Sequence, residues 1–161
     1  MATLPTSLEL HEHLLRTDVR YFALHVLGAP YGSVKSVIYP SPPYRTFAIK
    51  KRNGSPRIIR EPTKYLKQLQ VKVLEFMKSR AAPAKPCVHG FVQDRSIVTN
   101  AQRHLKTMPY YLLNIDIENF FPSITFFRVR GVFRKAPFNL SHEVATVLAQ
   151  LCTYQNELPQ G

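Results

Sequence analysis

The residue best placed for chemistry is Asp116, held between Ile115 and Ile117 at the end of the apolar run 110–117, YYLLNIDI. The run has strand length and no polar alternation, the pattern of a strand buried on both faces. A carboxylate there is costly unless something compensates it. Two partners would serve: an Arg or Lys of the same fold, or a hard divalent cation such as Mg²⁺. Glu118 shares the face of Asp116 only if the strand continues that far, and otherwise reads as a solvated strand-end charge. Asn100 and His104 stand one helical turn apart, so they share a helix face and suit either an internal hydrogen bond or a partner. Cys87 and Cys152 lack CxxC spacing and read as ordinary reduced thiols, with neither a zinc site nor a disulfide framework supported.

The 22 Lys and Arg against 10 Asp and Glu give a formal charge of +12, which points to a polyanionic partner, nucleic acid first and an anionic membrane surface second. Lys64, Lys67, Lys72, Arg103, Arg128, Arg130, Arg134 and Lys135 suit phosphate contact as a group, though each alone reads as a solvated charge. A 45% hydrophobic and 11% aromatic composition excludes a disordered tail, and 161 residues exclude a tandem array of domains. The longest uncharged run, 21–34, is broken by Gly28 and Pro30 and falls short of the roughly 18 apolar residues of a spanning helix. Glu9 and Glu12 precede any apolar core, so no secretory signal is expected and the cytoplasm is the expected compartment.

The elements that must position these residues follow from periodicity. A helical leader runs from Ser7 to about Ile38, with Leu8, His11, Leu14 and Leu15 on one face and Tyr21, Phe22, Leu24, His25 and Leu27 in a second segment after a Thr17-Asp18 cap. Gly28, Pro30 and Gly32 end it, and Pro40-Ser41-Pro42-Pro43 marks a boundary. Two β-rich stretches around Asn53-Gly54 form a hairpin. Thr63 caps a helix from Lys64 to about Arg80 that buries Leu66, Leu69, Val73, Phe76 and Met77. A further helix starting near Asp94 or Ser96 carries Ile97, Ala101 and Leu105. Ser123 and Ser141 are expected to cap helices at 124–135 and 142–154.

The string Asn114-Ile-Asp-Ile-Glu-Asn-Phe-Phe-Pro-Ser123 resembles the first catalytic motif of reverse transcriptases, and Leu158-Pro-Gln-Gly161 resembles the opening of their downstream nucleotide-binding motif. Phe47-Ala-Ile-Lys-Lys with Pro56-Arg-Ile-Ile resembles the fingers hairpin of that family, and Leu66-Lys67 with Gln70 its following segment. His89-Gly-Phe and Arg95-Ser-Ile are similar to bacterial members, and Asn100-Ala-Gln-Arg-His104 resembles the extra region of retron-type enzymes. The resemblance spans about 44–161 and implies an α+β fold: the fingers and partial palm of a right-hand polymerase behind an N-terminal helical extension. The expected divisions are a 1–40 extension, 41–109 fingers and a 110–161 start of the palm.

The resemblance also implies roles. Asp116 would be catalytic and bind Mg²⁺ with the backbone carbonyl of Ile117, in the two-ion chemistry of nucleotidyl transfer. Lys50 and Arg57 would hold the triphosphate, Phe121 would lie beneath the sugar and exclude a 2′-hydroxyl, and Gln160 would pack near base and sugar. Read without the resemblance, Phe121 is a core aromatic beside Phe120. Asn100, His104, Arg103, Lys64 and Lys67 would meet RNA. The implied partners are a structured non-coding RNA and its DNA product, deoxynucleoside triphosphates and an effector protein in phage defence. The 161 residues hold neither the Tyr-x-Asp-Asp type turn nor a thumb, so activity is expected only with the C-terminal half of the polymerase. The competing expectation is a non-catalytic basic RNA-binding module, and behind it a piece of a group II intron-like or other defence-associated reverse transcriptase.

Overall fold

Helix α8, His142–Cys152, is the most deeply buried element: Val144, Ala145, Val147, Leu148, Ala149 and Leu151 are all buried. A helix apolar on most of its circumference must be packed from several sides. Helices α1 (Ser7–Thr17), α2 (Val19–His25), α3 (Tyr31–Ile38), α4 (Lys64–Arg80) and α7 (Phe126–Arg134) all meet it. Ser141 sets its start, accepting a hydrogen bond from Val144 N at 3.3 Å. The computed structural model describes residues 6–52, 54–105 and 109–160. They form two compact units, Met1–Ala81 with Asn119–Gly161 and, separately, Ala82–Glu118.

In the first unit, the leader begins with a capping box. Thr6 Oγ1 accepts from Glu9 N while the Glu9 carboxylate accepts from Thr6 N at 2.8 Å. Asp18 then caps α2 through Arg20 N and Tyr21 N. Leu15, Phe22, Ala23 and Leu27 enter the core, but Leu8 is 72% exposed, so the apolar face expected of α1 is only partly used. Helix α3 lies inside the helical leader expected to about Ile38, although Pro30 and Gly32 read as terminators. Pro30 instead occupies the N-cap, where a missing N–H costs nothing, and its carbonyl accepts from Val34 N.

Strands β1 (Tyr44–Lys50) and β2 (Pro56–Pro62) pair antiparallel, with Tyr44 opposite Pro62 and Lys50 opposite Pro56. The hairpin expectation holds; Asn53 of its turn lies outside the described residues, while Gly54 has the positive φ of +83° that such a turn demands. Helix α4 buries Leu66, Leu69, Val73 and Phe76 as its spacing requires, with Met77 packed at the margin. Its Thr63 occupies the N-cap without a side-chain capping bond. Gln70 ties three elements together, donating from one amide nitrogen to Tyr44 Oη and to the Leu151 carbonyl, each at 2.8 Å. Burial pushes the Tyr44 phenol up to about 12.

Two expectations are corrected. Ser123 does not cap a helix; it closes the short helix α6 (Phe120–Ser123), its hydroxyl donating to the Phe120 carbonyl, and Thr125 stands at the N-cap of α7. The run 110–117 is not a buried strand: Tyr110, Tyr111, Leu113 and Ile115 are exposed and the backbone forms no ladder. A strand buried on both faces needs neighbours to satisfy its N–H and C=O groups, and the sheet among the described residues consists of β1 and β2, paired with each other. Phe22, Val34, Leu66, Val73, Phe133 and Leu148, drawn from all three expected divisions, share one core.

The second unit is held by polar contacts. Helix α5 (Ile97–Leu105) buries no side chain. Ser96 and Thr99 cap its start reciprocally, and Arg95 donates to the carbonyls of Lys85 and Val88.

Leu148→Ala should lower unfolding free energy by about 2–5 kcal/mol, the range for deleting a fully buried Leu side chain, whereas Leu8→Ala should change it by no more than about 0.5 kcal/mol. Urea titration of both variants checks this. A second prediction concerns Glu12, whose carboxylate receives both Arg80 nitrogens at 3.0 and 2.9 Å. Those hydrogen bonds hold its pKa below the ordinary value, so the stabilisation is present above the unfolded value of about 4.3 and is lost as pH falls through the folded one. Glu12→Gln should therefore melt below wild type at neutral pH, by no more than about 1 kcal/mol for this partly exposed pair, with the gap closing in acid.

Candidate functional site

A pocket of about 210 Å³ opens beside β2, and Arg57, Lys51, Arg60, Pro122 and Gln160 line it. The segment 154–160 builds one wall. Tyr154 and Glu157 exchange backbone hydrogen bonds at 2.9 and 3.1 Å, Leu158 N donates to the Ile124 carbonyl at 2.9 Å, and Arg60 N donates to the Gln160 carbonyl at 2.9 Å. That last bond fixes Gln160 against the outer edge of β2. Arg57 and Gln160, two residues singled out in the sequence, are thereby brought to one pocket although 103 positions separate them.

Lys50 does not join them. In the hairpin register Ile49 faces Arg57 and Lys50 faces Pro56, so strand alternation places Lys50 and Arg57 on opposite faces. Lys51, the next residue, lines the pocket with Arg57. Arg60 was also not singled out, yet it anchors the wall: its guanidinium lies 5.2 Å from the Tyr154 ring centroid, donates to Gln155 Oε1 at 3.2 Å and stands 3.9 Å from the Glu157 carboxylate. The sequence signal available was an arginine directly after Ile58-Ile59, where its half-burial demands partners. Phe121 is half-buried, edge-on to Phe120 at 5.5 Å, and therefore is not a core aromatic. Asn119, at φ +52°, turns the chain into α6 ahead of it. Lys64 and Lys67 are exposed on α4.

The other residues singled out belong to the second unit. Asp116 is exposed and its carboxylate accepts from its own neighbour, Ile117 N, at 2.9 Å. Neither a buried ion pair nor a group of three or more metal-ligating side chains is found there among the described residues. Its carboxylate and the Ile117 carbonyl are hard oxygen donors, the type Mg²⁺ takes. Asn100 and His104 are exposed on α5, while Arg103 donates to the Pro86 carbonyl at 2.6 Å and so helps fold its own unit. His89 Nδ1 meets Thr99 Oγ1 at 2.9 Å. No described helix is long and apolar enough to cross a membrane.

The chain is 40% identical over 116 residues to the Retron Mx65 reverse transcriptase of Myxococcus xanthus, covering 72% of this chain and 26% of that protein. It is 37% identical over 120 residues to the Retron Ec86 reverse transcriptase of Escherichia coli, covering 73% and 36%, and 33% identical over 130 residues to the Retron Se72 reverse transcriptase of Salmonella heidelberg, covering 80% and 32%. No family profile matches, and no solved structure matches. These relatives place the chain, of mixed helix and strand, among reverse-transcriptase polypeptides. Within that class the chain belongs to the retron reverse transcriptases, as a partial, N-terminal portion spanning about a quarter to a third of the length of these relatives.

The pocket's cations give a prediction. Lys51→Ala and Arg57→Ala should each weaken binding of inorganic tripolyphosphate severalfold, about 1 kcal/mol per lost charge-assisted contact, whereas Lys50→Ala should leave it within twofold. Isothermal titration calorimetry on the three variants checks the assignment.

Proposed function

We propose that this chain is the fingers and early palm of a retron-type RNA-directed DNA polymerase, which copies a structured non-coding RNA into DNA in the bacterial cytoplasm. The observation that carries the reading is the convergence of Arg57, Lys51 and Gln160 on one pocket beside β2. A forked guanidinium and a flexible ammonium suit the oxygens of a deoxynucleoside triphosphate. Gln160, fixed through its backbone to Arg60, offers a side-chain amide to base and sugar. Phe121, half-exposed next to Pro122 of that pocket, offers a flat apolar floor for the sugar.

Asp116 and the Ile117 carbonyl would hold Mg²⁺, which when bound neutralises charge developing on phosphate oxygens. Asp116 brings the single carboxylate at that position, so further ligands must come from the rest of the polymerase. The basic surface and the exposed α5 face with Asn100 and His104 would meet the RNA and its DNA product. An effector protein acting in phage defence completes the proposed assembly.

The test is primer extension on an RNA template by the full-length polymerase. Asp116→Asn should abolish extension, a loss of at least about a thousandfold, and leave RNA affinity within twofold, because it removes a metal ligand and no phosphate contact. A parallel collapse of RNA affinity would assign Asp116 to the fold instead.

A further inference from the structure

Away from that pocket, five side chains gather where α7 meets the start of α8. Phe126, Arg130 and Arg134 follow one another at four-residue intervals along one face of α7, with Phe127 beside them. The Arg130 guanidinium lies 5.4 Å from the Phe126 ring centroid and 5.2 Å from that of Phe127, so both rings restrain the fork. Arg130 Nη1 is 3.4 Å from His142 Nε2, and Arg134 Nη1 is 3.2 Å from His142 Nδ1.

This cluster lacks acceptors. A neutral imidazole has one acceptor nitrogen, so it can receive one of the two guanidiniums; its other nitrogen carries a hydrogen and confronts the second arginine donor to donor. Among the described residues neither Arg130 nor Arg134 has an ion-pair partner, and Glu143, adjacent to His142, pairs with neither. One Nη1 of each arginine thus meets a ring that supplies one lone pair between them. An oxyanion placed between them would complete the set. Phe127, 66% exposed, presents aromatic surface to solvent at the same corner.

We propose that the α7–α8 corner binds a single-stranded nucleic-acid segment, with a phosphate between Arg130 and Arg134 and a base stacked on Phe127. The chemistry favours a nucleic acid over an acidic peptide, because the site pairs an oxyanion cradle with an aromatic platform, the combination single strands use. The +12 charge adds the long-range attraction such a strand feels. The proposal concerns binding and does not depend on polymerisation or on the pocket beside β2.

The experiment measures binding of a fluorescein-labelled uridine dodecamer to the full chain by anisotropy over a range of salt. Arg130→Gln with Arg134→Gln should raise Kd at least tenfold and flatten the dependence of log Kd on log salt by about 1.4, the value for two lost phosphate contacts on a single strand. A charge-matched control on exposed sites, Lys35→Gln with Lys78→Gln, should change Kd by less than twofold. Phe127→Ala removes an exposed side chain and should keep the melting temperature. It should weaken the dodecamer at least fivefold, the lower end for one stacked base, while leaving an abasic dodecamer within twofold. If the double arginine variant melts early, the Phe127→Ala comparison decides alone. Equal losses in the arginine and lysine pairs would overturn the proposal in favour of diffuse attraction. An unchanged affinity for Phe127→Ala, or displacement of the dodecamer by oligoglutamate at equal concentration, would overturn it in favour of a simple anion or acidic-protein site.

Discussion

The burial of α8 organises the first unit. Its Val144, Leu148 and Leu151 side chains are fully inaccessible, and each contributes about 1.5–3 kcal/mol through the water it sheds. That burial is available only if helices from the leader, from α4 and from α7 close over it together. Residues from both ends of the chain are thus committed to one core, and the leader is a wall of it. The ring contacts of Phe76 with Phe22 and Phe138, at 5.1 and 5.9 Å, join α4 to the leader and to the segment between α7 and α8.

The polar contacts depend on that core and transmit its order outward. Gln70 converts the position of α8 into the position of β1, because a single amide nitrogen reaches both the Leu151 carbonyl and the Tyr44 hydroxyl. Arg60 converts the position of β2 into the path of 154–160. The pocket beside β2 is the consequence. It exists because a hairpin edge and a segment about a hundred residues away are bonded to each other, each anchored to a helix that the core holds still. The second unit is built differently, with arginines and a reciprocal Ser96–Thr99 cap doing locally what burial does in the first.

Asp116 lies in a segment whose structural expectation fails. The uninterrupted apolar run promised a strand covered on both faces, and the carboxylate looked costly for that reason. In the folded chain the run is exposed, and the aspartate turns to its own backbone. Hydrophobicity announces that a segment needs covering; it does not say what covers it. The same distinction separates α8, apolar and enclosed, from α5, whose Ile97 and Leu105 are patterned as a helix face but remain exposed.

By itself the sequence determined several features that depend on neighbours a few residues apart. The Asn-Gly hairpin, the apolar repeat of α4 and the Ser141 cap of α8 are local signals, fixed by turn dihedrals and helical spacing. Tertiary structure alone decided which of those residues meet. It replaced Lys50 with Lys51 beside Arg57 through the two-residue period of a strand, and it made Arg60 the anchor of the pocket wall. It also set Arg130 and Arg134 against His142 by packing α7 on α8. Long-range register is settled by the sum of burial and hydrogen bonding across the whole core, and no window of sequence contains that sum.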